Sequence, residues 1–324
     1  MTSIAVLGAG AWGSALACVA CRAGHDVTLW GRSQSLIDEI GSEQLNRRYL
    51  GDLRLEEGIR PTTDIANIGG SSDIIILSVP TQTLRETLMA LGPVPYTVRF
   101  ISTSKGIDRE SGKLPSELVR TQFPDNPVAC LSGPSFAADV VANKPTAVTV
   151  ASNEFRLAEE LARLVSTPAF RCYSATDIRG VELGGALKNV LALAVGAARG
   201  MGLGASAEAA LIARGFAEVN RISIAMGARA ETLSGLSGLG DLVLTCSSTQ
   251  SRNFSYGIAM GQGAKLEGLP LAEGVHTASI AFSLAKKTGI QTPIIEAVVN
   301  VLEKRVTARE AVHTLLTRPL KREI

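Results

Sequence analysis

A glycine-rich turn near the start of the chain constrains its fold more than any other feature. Residues 8–13 read GAGAWG, with the spacing GxGxxG, after the apolar segment TSIAVL (2–7) and before a helical pattern that ends near Ala23. A second apolar segment, HDVTLW (25–30), comes next. Strand, glycine turn, helix and strand within about 30 residues are typical of a mononucleotide-binding unit. The sequence therefore predicts a Rossmann-like domain at the start of the chain.

Further apolar segments alternate with helical stretches up to residue 152. The candidate strands are DIIILSVP (73–80), VRFISTSKG (98–106), NPVACLSGP (126–134) and TAVTVAS (146–152). Such alternation predicts a doubly wound, mainly parallel sheet. After about Asp177 alanine and leucine recur at helical spacing, which favours an all-helical region. We therefore predict a dinucleotide-binding domain at 1–177 and a helical substrate-binding domain at 178–324.

The composition argues against several classes of function. Lysine and arginine number 32 against 30 acidic residues, and a net charge of +2 argues against nucleic acid as the main partner. The uncharged run from Ile4 to Cys21 is nearly as long as a membrane span, but it contains the glycine turn and no basic residue precedes it. We expect a cytoplasmic protein without a signal peptide or a membrane span.

The cysteines and histidines give no sign of a redox or metal site. Five cysteines, an odd number, provide no disulfide framework and fit a reducing compartment. Cys18 and Cys21 form a CxxC inside the first predicted helix, and we interpret them as buried small apolar residues. The histidines at 25, 276 and 313 lie in none of the motifs, and no cluster has metal-ligand spacing, so no metal is expected.

Each glycine of the turn has a physical role. Gly8 allows the tight turn, Gly10 lets the backbone approach a pyrophosphate, and Gly13 lets the helix pack on the strand. The phosphates would lie at the positive end of the helix. Because a strand and a helix flank the motif, a glycine turn without a ligand is the less favoured alternative.

An arginine stands where dinucleotide-binding folds often have an acid. Such an acid, at the end of the second strand, binds the ribose hydroxyls, but this chain has Gly31 and Arg32 there. Asp26 lies at the start of the strand, roughly 16 Å from the cofactor edge. Arg32 is suited to a 2′-phosphate, so the sequence favours NADPH, with NADH also accepted. The alternative is an arginine that only faces solvent.

Four more motifs follow the glycine turn: SKG (104–106), GPSFA (133–137), VELGGALKNVLALAVG (181–196) and GLGDLVLTCSSTQSRN (238–253). With the turn, they resemble the NAD(P)-dependent glycerol-3-phosphate dehydrogenases of the bacterial type, from Gly8 to about Glu273. The resemblance implies a 6-phosphogluconate-dehydrogenase-like architecture and the interconversion of dihydroxyacetone phosphate and sn-glycerol 3-phosphate, which supplies phospholipid synthesis. It also implies a small phosphate substrate as partner and, as in many similar enzymes, a homodimer.

Three residues are the catalytic candidates. Lys188 lies in a helix that is apolar on every side, where loss of water lowers the pKa of an amine toward a value useful for proton transfer. Lys105 follows a strand at the edge where such sheets bind ligands, and its charge would lower the pKa of Lys188 further. The resemblance makes Lys188 the general acid/base and Asp241 a partner of its proton or of the substrate hydroxyl. The alternatives are a snorkelling Lys188, a solvated Lys105 and a helix-capping Asp241.

Ser251, Arg252 and Asn253 precede another helical stretch and form the candidate phosphate site. A guanidinium and small donors at a helix N-terminus suit a phosphate dianion, and a lysine would lose the bidentate geometry. The resemblance gives the substrate phosphate to Arg252 and also places this residue near the cofactor. Phe254 stands where some relatives have a further arginine.

The resemblance also assigns the remaining contacts. Substrate contacts fall on Lys105, Gly133, Ser135, Lys188, Asn189, Asp241, Ser251, Arg252 and Asn253. Cofactor contacts fall on Gly8, Gly10, Trp12, Gly13, Arg32, Tyr49, Lys105, Ala137, Arg252, Leu271 and Glu273. Two other functions stay open. Another two-domain NAD(P)-dependent reductase, of a hydroxy acid or a sugar derivative, would not need Arg252 with Asn253, and a non-catalytic dinucleotide sensor would not need Lys188.

Overall fold

Short apolar segments form the strands of this protein. The computed structural model describes residues 1–319, and the strands found there all precede residue 176. They are β1 (Ser3–Leu7), β2 (Asp26–Trp30), β3 (Ile59–Thr62), β4 (Ile74–Leu77), β5 (Arg99–Ser102), β6 (Val128–Ser132), β7 (Thr146–Ala151) and β8 (Phe170–Ala175).

Helices connect the strands and then make up the rest of the described chain. The connecting helices are α1 (Ala11–Arg22), α2 (Gln34–Glu43), α3 (Arg47–Leu50), α4 (Ile68–Ser71), α5 (Thr81–Ala90), α6 (Pro115–Gln122), α7 (Ala137–Val141) and α8 (Phe155–Val165). The helices after the sheet are α9 (Ile178–Gly200), α10 (Ala205–Ala225), α11 (Ala230–Ser234), α12 (Asp241–Ser247), α13 (Arg252–Gly261), α14 (Glu273–Lys287), α15 (Pro293–Leu302) and α16 (Ala308–Leu316), with a π-helical turn at Leu236–Gly240.

The strands form one sheet in the order β3-β2-β1-β4-β5-β6-β7-β8. All neighbours from β3 to β6 are parallel, β7 is antiparallel to β6, and β8 is parallel to β7. The strand order reverses between β1 and β4, where Leu7 lies beside Leu77. Sheets of this kind bind ligands outside the carboxyl ends of the strands at such a reversal.

Alternation along the strands buries both faces of the sheet. In β1, Ile4 and Val6 pack into the apolar cluster that also contains α1, α7 and α8, whereas Ala5 and Leu7 pack into the one that contains α5 and α6. All four side chains are fully buried. A sheet covered on both sides leaves its edges and strand ends as the places where polar chemistry can be exposed.

Helix α9 is the core of the helical part. It packs against α10, α12, α13 and α14, and 94% of its most apolar 18-residue stretch is buried. Within the described residues it is the one helix long and apolar enough to cross a membrane, but the surrounding helices cover it as they would cover the core helix of a folded domain.

The predicted fold class is confirmed, although the sequence pattern predicts neither β3 nor β8. Both are edge strands with weak apolar patterns: β3 contains Pro61 and an exposed Arg60, and in β8 only Phe170 is buried. Proline and charges are common on edge strands because one side of such a strand has no partner. Residues 320–324 of the predicted helical domain lie outside the described residues.

Candidate active site

The glycine turn joins β1 to α1 at the reversal of strand order. Gly8 has φ of +118°, and a Cβ there would lie 2.6 Å from the carbonyl oxygen of Ser78, just after β4. A Cβ on Gly13 would lie 1.8 Å from the carbonyl oxygen of Gly8. Both positions require glycine because turn, helix and neighbouring strand end are in close contact.

The space beside Gly10 fits a dinucleotide. A Cβ on Gly10 would meet no atom within 4 Å. Gly10 is the N-cap of α1, no side chain caps this helix end, and its first turn contains no acidic residue. Uncapped N–H groups and the positive end of the helix dipole are what a pyrophosphate requires.

Arg32 lies at the carboxyl end of β2 with its side chain exposed. The next residue, Ser33, caps α2 by accepting a hydrogen bond from the backbone N–H of Leu36 at 3.4 Å. Asp26, at the other end of β2, forms an ion pair with Arg60 of β3. The charged side chain at the cofactor end of β2 is therefore the arginine.

Two aromatic residues with predicted cofactor contacts lie near the turn. Trp12 is in the first turn of α1 and packs against Phe170, with the ring centroids 6.5 Å apart. Tyr49 is in α3, is 46% exposed, and has the Arg48 guanidinium 5.3 Å from its ring centroid. The roles of Trp12 and Tyr49 in cofactor binding stay predictions.

Lys188 is buried in the middle of α9. It is only 6% exposed, and the residues around it on the helix, such as Leu187 and Leu191, are fully buried. The prediction of a buried lysine in an all-apolar helix is confirmed. A charge in such a place needs a partner, since an unpaired buried ammonium is costly.

Asp241 is that partner, and it binds two lysines. Its Oδ1 lies 2.5 Å from Nζ of Lys188, and its Oδ2 lies 2.7 Å from Nζ of Lys105. Lys105 follows β5, and its Nζ also donates to the carbonyl oxygen of Gly133, after β6, at 3.4 Å. The N-cap of α12 is Gly240, so the Asp241 carboxylate binds the lysines rather than capping the helix.

Burial and charge together set the protonation of this cluster. Burial lowers the pKa of Lys188 to about 8; the Asp241 charge opposes this change, and the Lys105 charge adds to it. Burial acts to raise the pKa of Asp241, but the two ammonium groups outweigh it and the pKa is lowered. Asp241 is therefore a carboxylate near neutral pH, while Lys188 is poised to give or take a proton.

Thr245 belongs to this cluster, although no sequence motif predicts it. It lies one helical turn after Asp241 and is 5% exposed. Nζ of Lys188 donates to Oγ1 of Thr245 at 2.6 Å, and this hydroxyl lies 3.4 Å from Oδ1 of Asp241. The spacing of four residues from Asp241 was the available signal, because such pairs share a helix face.

Ser251 opens α13 as its N-cap, and its Oγ accepts from the backbone N–H of Phe254 at 3.2 Å. Arg252 is the first residue of the helix and is exposed. The three predicted phosphate residues thus lie at a helix N-terminus, as the sequence predicts. This arrangement presents a guanidinium beside the positive end of a helix dipole.

A chain of amides connects this helix end to the lysine cluster. Asn253 donates to Oδ1 of Asn189 at 3.0 Å, and Asn189 donates to the carbonyl oxygen of Lys105 at 3.1 Å. Asn253 also accepts from the backbone N–H of Gly274 at 2.8 Å. The candidate phosphate site is therefore tied to Lys105 and to the helix residue that follows Lys188.

Glu273 brings α14 to the same edge of the sheet. Its Oε1 accepts from the backbone N–H of Thr81, the first residue of α5, at 3.2 Å. Burial raises the pKa of Glu273, and the Thr81 N–H and the Arg252 charge partly offset this change. Leu271, two residues before α14, is 42% exposed.

The GPSFA segment follows β6 beside Lys105. Gly133 has φ of +156°, and a Cβ there would lie 2.8 Å from the Cα of Val148. Ser135 donates from Oγ to the carbonyl oxygen of Gly133 at 3.2 Å. Ala137 begins α7 and packs in the same apolar cluster as Trp12. The substrate and cofactor contacts predicted for this segment stay predictions.

Two histidines and Cys18 make their contacts outside the lysine cluster. His25 contacts the carbonyl oxygen of Leu164, and His276 contacts Arg109. Cys18 is fully buried, and burial raises its pKa to about 11, which fits a small apolar residue. Within residues 1–319, no group of three or more His, Cys, Asp or Glu is placed to hold a metal ion.

This fold, with its glycine turn, defines a class: a Rossmann-type oxidoreductase. The family model for the N-terminus of NAD-dependent glycerol-3-phosphate dehydrogenase matches residues 3–158, and the model for its C-terminus matches residues 177–313. The glycerol-3-phosphate dehydrogenase (NAD(P)+) of Brucella canis is 54% identical over 323 residues, 99% of each chain. This chain belongs to the NAD-dependent glycerol-3-phosphate dehydrogenase family.

Solved structures agree with this assignment. A glycerol-3-phosphate dehydrogenase from Coxiella burnetii matches with a TM-score of 0.91 and 36% identity, covering 98% of this chain and 99% of that one. A ketopantoate reductase from Ralstonia eutropha matches with a TM-score of 0.63 and 14% identity, covering 96% of this chain and all of the other. The second likeness concerns the fold alone, so sequence identity, not architecture, separates this family from other reductases.

Proposed function

We propose that this chain interconverts dihydroxyacetone phosphate and sn-glycerol 3-phosphate, supplying glycerol phosphate for phospholipid synthesis. The observation that carries the proposal is the buried cluster of Lys188, Asp241 and Lys105 beside a glycine turn that fits a dinucleotide. NAD(P)H, when bound, supplies the hydride. The protein supplies position, charge and the proton.

Lys188 is the proposed general acid/base. With a pKa of about 8, its ammonium gives a proton to the oxygen on the central carbon during reduction and takes it back during oxidation. Asp241 and Thr245 hold Nζ in one place. Lys105, held by the same carboxylate, stabilises negative charge that develops on the substrate oxygen.

The N-terminus of α13 is the proposed phosphate site. Ser251, Arg252 and Asn253 present hydroxyl, guanidinium and amide groups there. Their link to Lys105 through Asn189 fixes the distance between the phosphate and the reacting carbon. Gly133, Ser135 and Asn189 complete the proposed substrate contacts.

The proposed cofactor site runs along the carboxyl edge of the sheet. The glycine turn takes the pyrophosphate, and exposed Arg32 takes a 2′-phosphate, so NADPH is preferred over NADH. The other proposed contacts are Trp12, Tyr49, Lys105, Ala137, Arg252, Leu271 and Glu273. In this proposal residues 1–177 form the dinucleotide-binding domain and 178–324 the substrate-binding domain.

The test follows absorbance at 340 nm with purified protein, dihydroxyacetone phosphate, and NADPH or NADH. We expect oxidation of both cofactors, a preference for NADPH, and loss of that preference in Arg32→Ala. Arg163→Ala, which changes an exposed arginine on α8, is the matched control and should keep the preference. No oxidation with either cofactor, while both still bind, would reject the proposed reaction.

Phosphate-free substrates test the competing reductase function. Dihydroxyacetone and 2-keto acids should react at least about 100-fold less efficiently than dihydroxyacetone phosphate, because they leave Arg252 without its partner. Equal rates would assign the chain to a different substrate.

The cytoplasm and a homodimer are part of the proposal. All five cysteines are free thiols, as in a reducing compartment. Sedimentation equilibrium would test the dimer, which predicts twice the 33.9 kDa mass of one chain.

A further inference from the structure

Asn46 is a fully buried polar residue whose side chain contacts the glycine turn. It lies 37 residues after Ala9 in sequence, just before α3. Its Nδ2 donates to the carbonyl oxygen of Ala9 at 3.0 Å and to Oγ of Ser14 at 2.9 Å. Ala9 is inside the turn and Ser14 is in α1, so one amide nitrogen joins the two sides of the helix start.

We infer that Asn46 is a positioning residue for the dinucleotide, an inference that rests on the proposed function. In a trans peptide the C=O and N–H bonds point in opposite directions. Because Asn46 holds the oxygen of Ala9 on its own side, the N–H of Gly10 points away from Asn46. The peptide thus presents the Gly10 N–H to an anion, while the Ala9 carbonyl oxygen, which would repel the anion, points away from it.

The chemistry of this contact requires a primary amide. One uncharged nitrogen must supply two hydrogens, which among side chains only asparagine and glutamine do. An aspartate of the same shape would place an oxygen against the Ala9 oxygen, and its charge would lie near the helix end that the pyrophosphate needs. A side chain of the same shape that lacks the amide nitrogen would therefore not replace Asn46.

The backbone of Asn46 connects the turn to a second part of the cofactor site. Its carbonyl oxygen accepts from the N–H groups of Tyr49 at 3.1 Å and Leu50 at 2.8 Å. These two hydrogen bonds form the single turn of α3. Tyr49 is a predicted cofactor contact. Asn46 therefore sets both the turn that faces the pyrophosphate and the segment that carries this aromatic ring.

The experiment measures binding of ADP-ribose by titration calorimetry to wild type, Asn46→Ala and Asn46→Asp. We expect the dissociation constant to rise about tenfold in Asn46→Ala and at least as much in Asn46→Asp. The KM values for NADH and NADPH should rise together, with kcat and the KM for dihydroxyacetone phosphate unchanged. Ser14→Ala removes one of the two acceptors and should give a smaller, two- to threefold rise.

Asn126→Ala is the matched control. Asn126 is also buried, and its Nδ2 also donates twice, to the carbonyl oxygens of Pro95 and Val98, both at 2.8 Å. It should lose similar stability on urea unfolding and keep wild-type affinity for ADP-ribose. Unchanged ADP-ribose binding in Asn46→Asp, or an equal loss of affinity in Asn126→Ala, would overturn this inference but not the proposed cofactor site. Failure of wild type to bind ADP-ribose would overturn the proposed cofactor site as well.

Discussion

Two turns of helix α9 bury ionisable side chains in different surroundings. Glu182, near the start of the helix and 4% exposed, accepts hydrogen bonds from the backbone N–H of Ser116 at 2.7 Å and from its hydroxyl at 2.6 Å. Lys188, six residues later, binds the carboxylate of Asp241 and the hydroxyl of Thr245. The direct partners of Glu182 are neutral, whereas Lys188 has a counter-charge.

Both groups have strongly shifted pKa values, yet only one of them shares its charged partner with a second candidate site residue. Burial raises the pKa of Glu182 to about 7 and lowers that of Lys188 to about 8. Glu182 accepts from the first turn of α6 and so joins that helix to α9. Lys188 shares Asp241 with Lys105 at the carboxyl edge of the sheet. A shifted pKa therefore indicates catalysis only when several site residues converge on the group.

The largest difference between the two turns is expected in the variant Lys188→Met. We expect kcat to fall by about 10²- to 10⁴-fold, the usual contribution of a positioned acid/base, with affinity for the cofactor unchanged. The absorbance assay and calorimetry would measure both quantities. Glu182→Gln, on the same helix, should keep kcat within about twofold, and a large loss there would remove the distinction between the two turns.

Asp241→Asn tests the counter-charge. It would leave the Lys188 and Lys105 ammonium groups without an anion, at a cost of about 3–5 kcal/mol in the free energy of unfolding. Asp139→Asn breaks an exposed pair with Lys144 and should cost less than about 1 kcal/mol. Equal costs in urea titrations would mean that Asp241 does not stabilise the cluster as proposed.

Glu182→Gln should change how stability depends on pH. The pKa of Glu182 is higher in the folded protein, so folding favours its protonated form; this stability is present below its ordinary pKa of 4.5 and is lost as pH rises through about 7. The variant should therefore lose less stability between pH 5 and 8, by on the order of 2 kcal/mol. Parallel Tm profiles for variant and wild type would contradict this result. Glu159→Gln, which changes a carboxylate on α8 that is paired with Arg163, is the control.

The smallest expected effect concerns the pH dependence of reduction. Reduction needs the protonated form of Lys188, so wild-type kcat should fall as pH rises past about 8. Because the Lys105 charge lowers the pKa of Lys188, Lys105→Met should move this fall to higher pH, even with a reduced maximum. A fall that stays at the same pH would show that the two ammonium groups do not interact.

The sequence predicts Lys188 but not Glu182, although both lie in the segment VELGGALKN. A lysine in an all-apolar helix stands out, and its place in a recognised motif gives it a role. The partner of Glu182 is Ser116, 66 residues earlier, and nothing in either local sequence points to the other. The same holds for Asn46, whose partners only the folded chain brings near.

The strands of the sheet show the same distinction between local pattern and long-range contact. The buried central strands have continuous apolar patterns, and their positions are predicted correctly. The edge strand β3 contains a charge and a proline, and its pairing with β2 is what makes it a strand. Local pattern thus gives the centre of the sheet and the glycine turn, whereas long-range contacts decide the edges and the site's supporting residues.

Helix α9 also has a consequence for synthesis on the ribosome. The sheet is complete once residue 175 is made, but the helices that cover α9 extend to Val299 of α15. At 5–20 residues per second, the stretch after Gly200 takes roughly 5–20 s to translate. During this time the nascent chain carries an apolar helix as long as a membrane span that is only partly covered. Its translation therefore includes an interval in which a chaperone that binds apolar helices would protect it from aggregation.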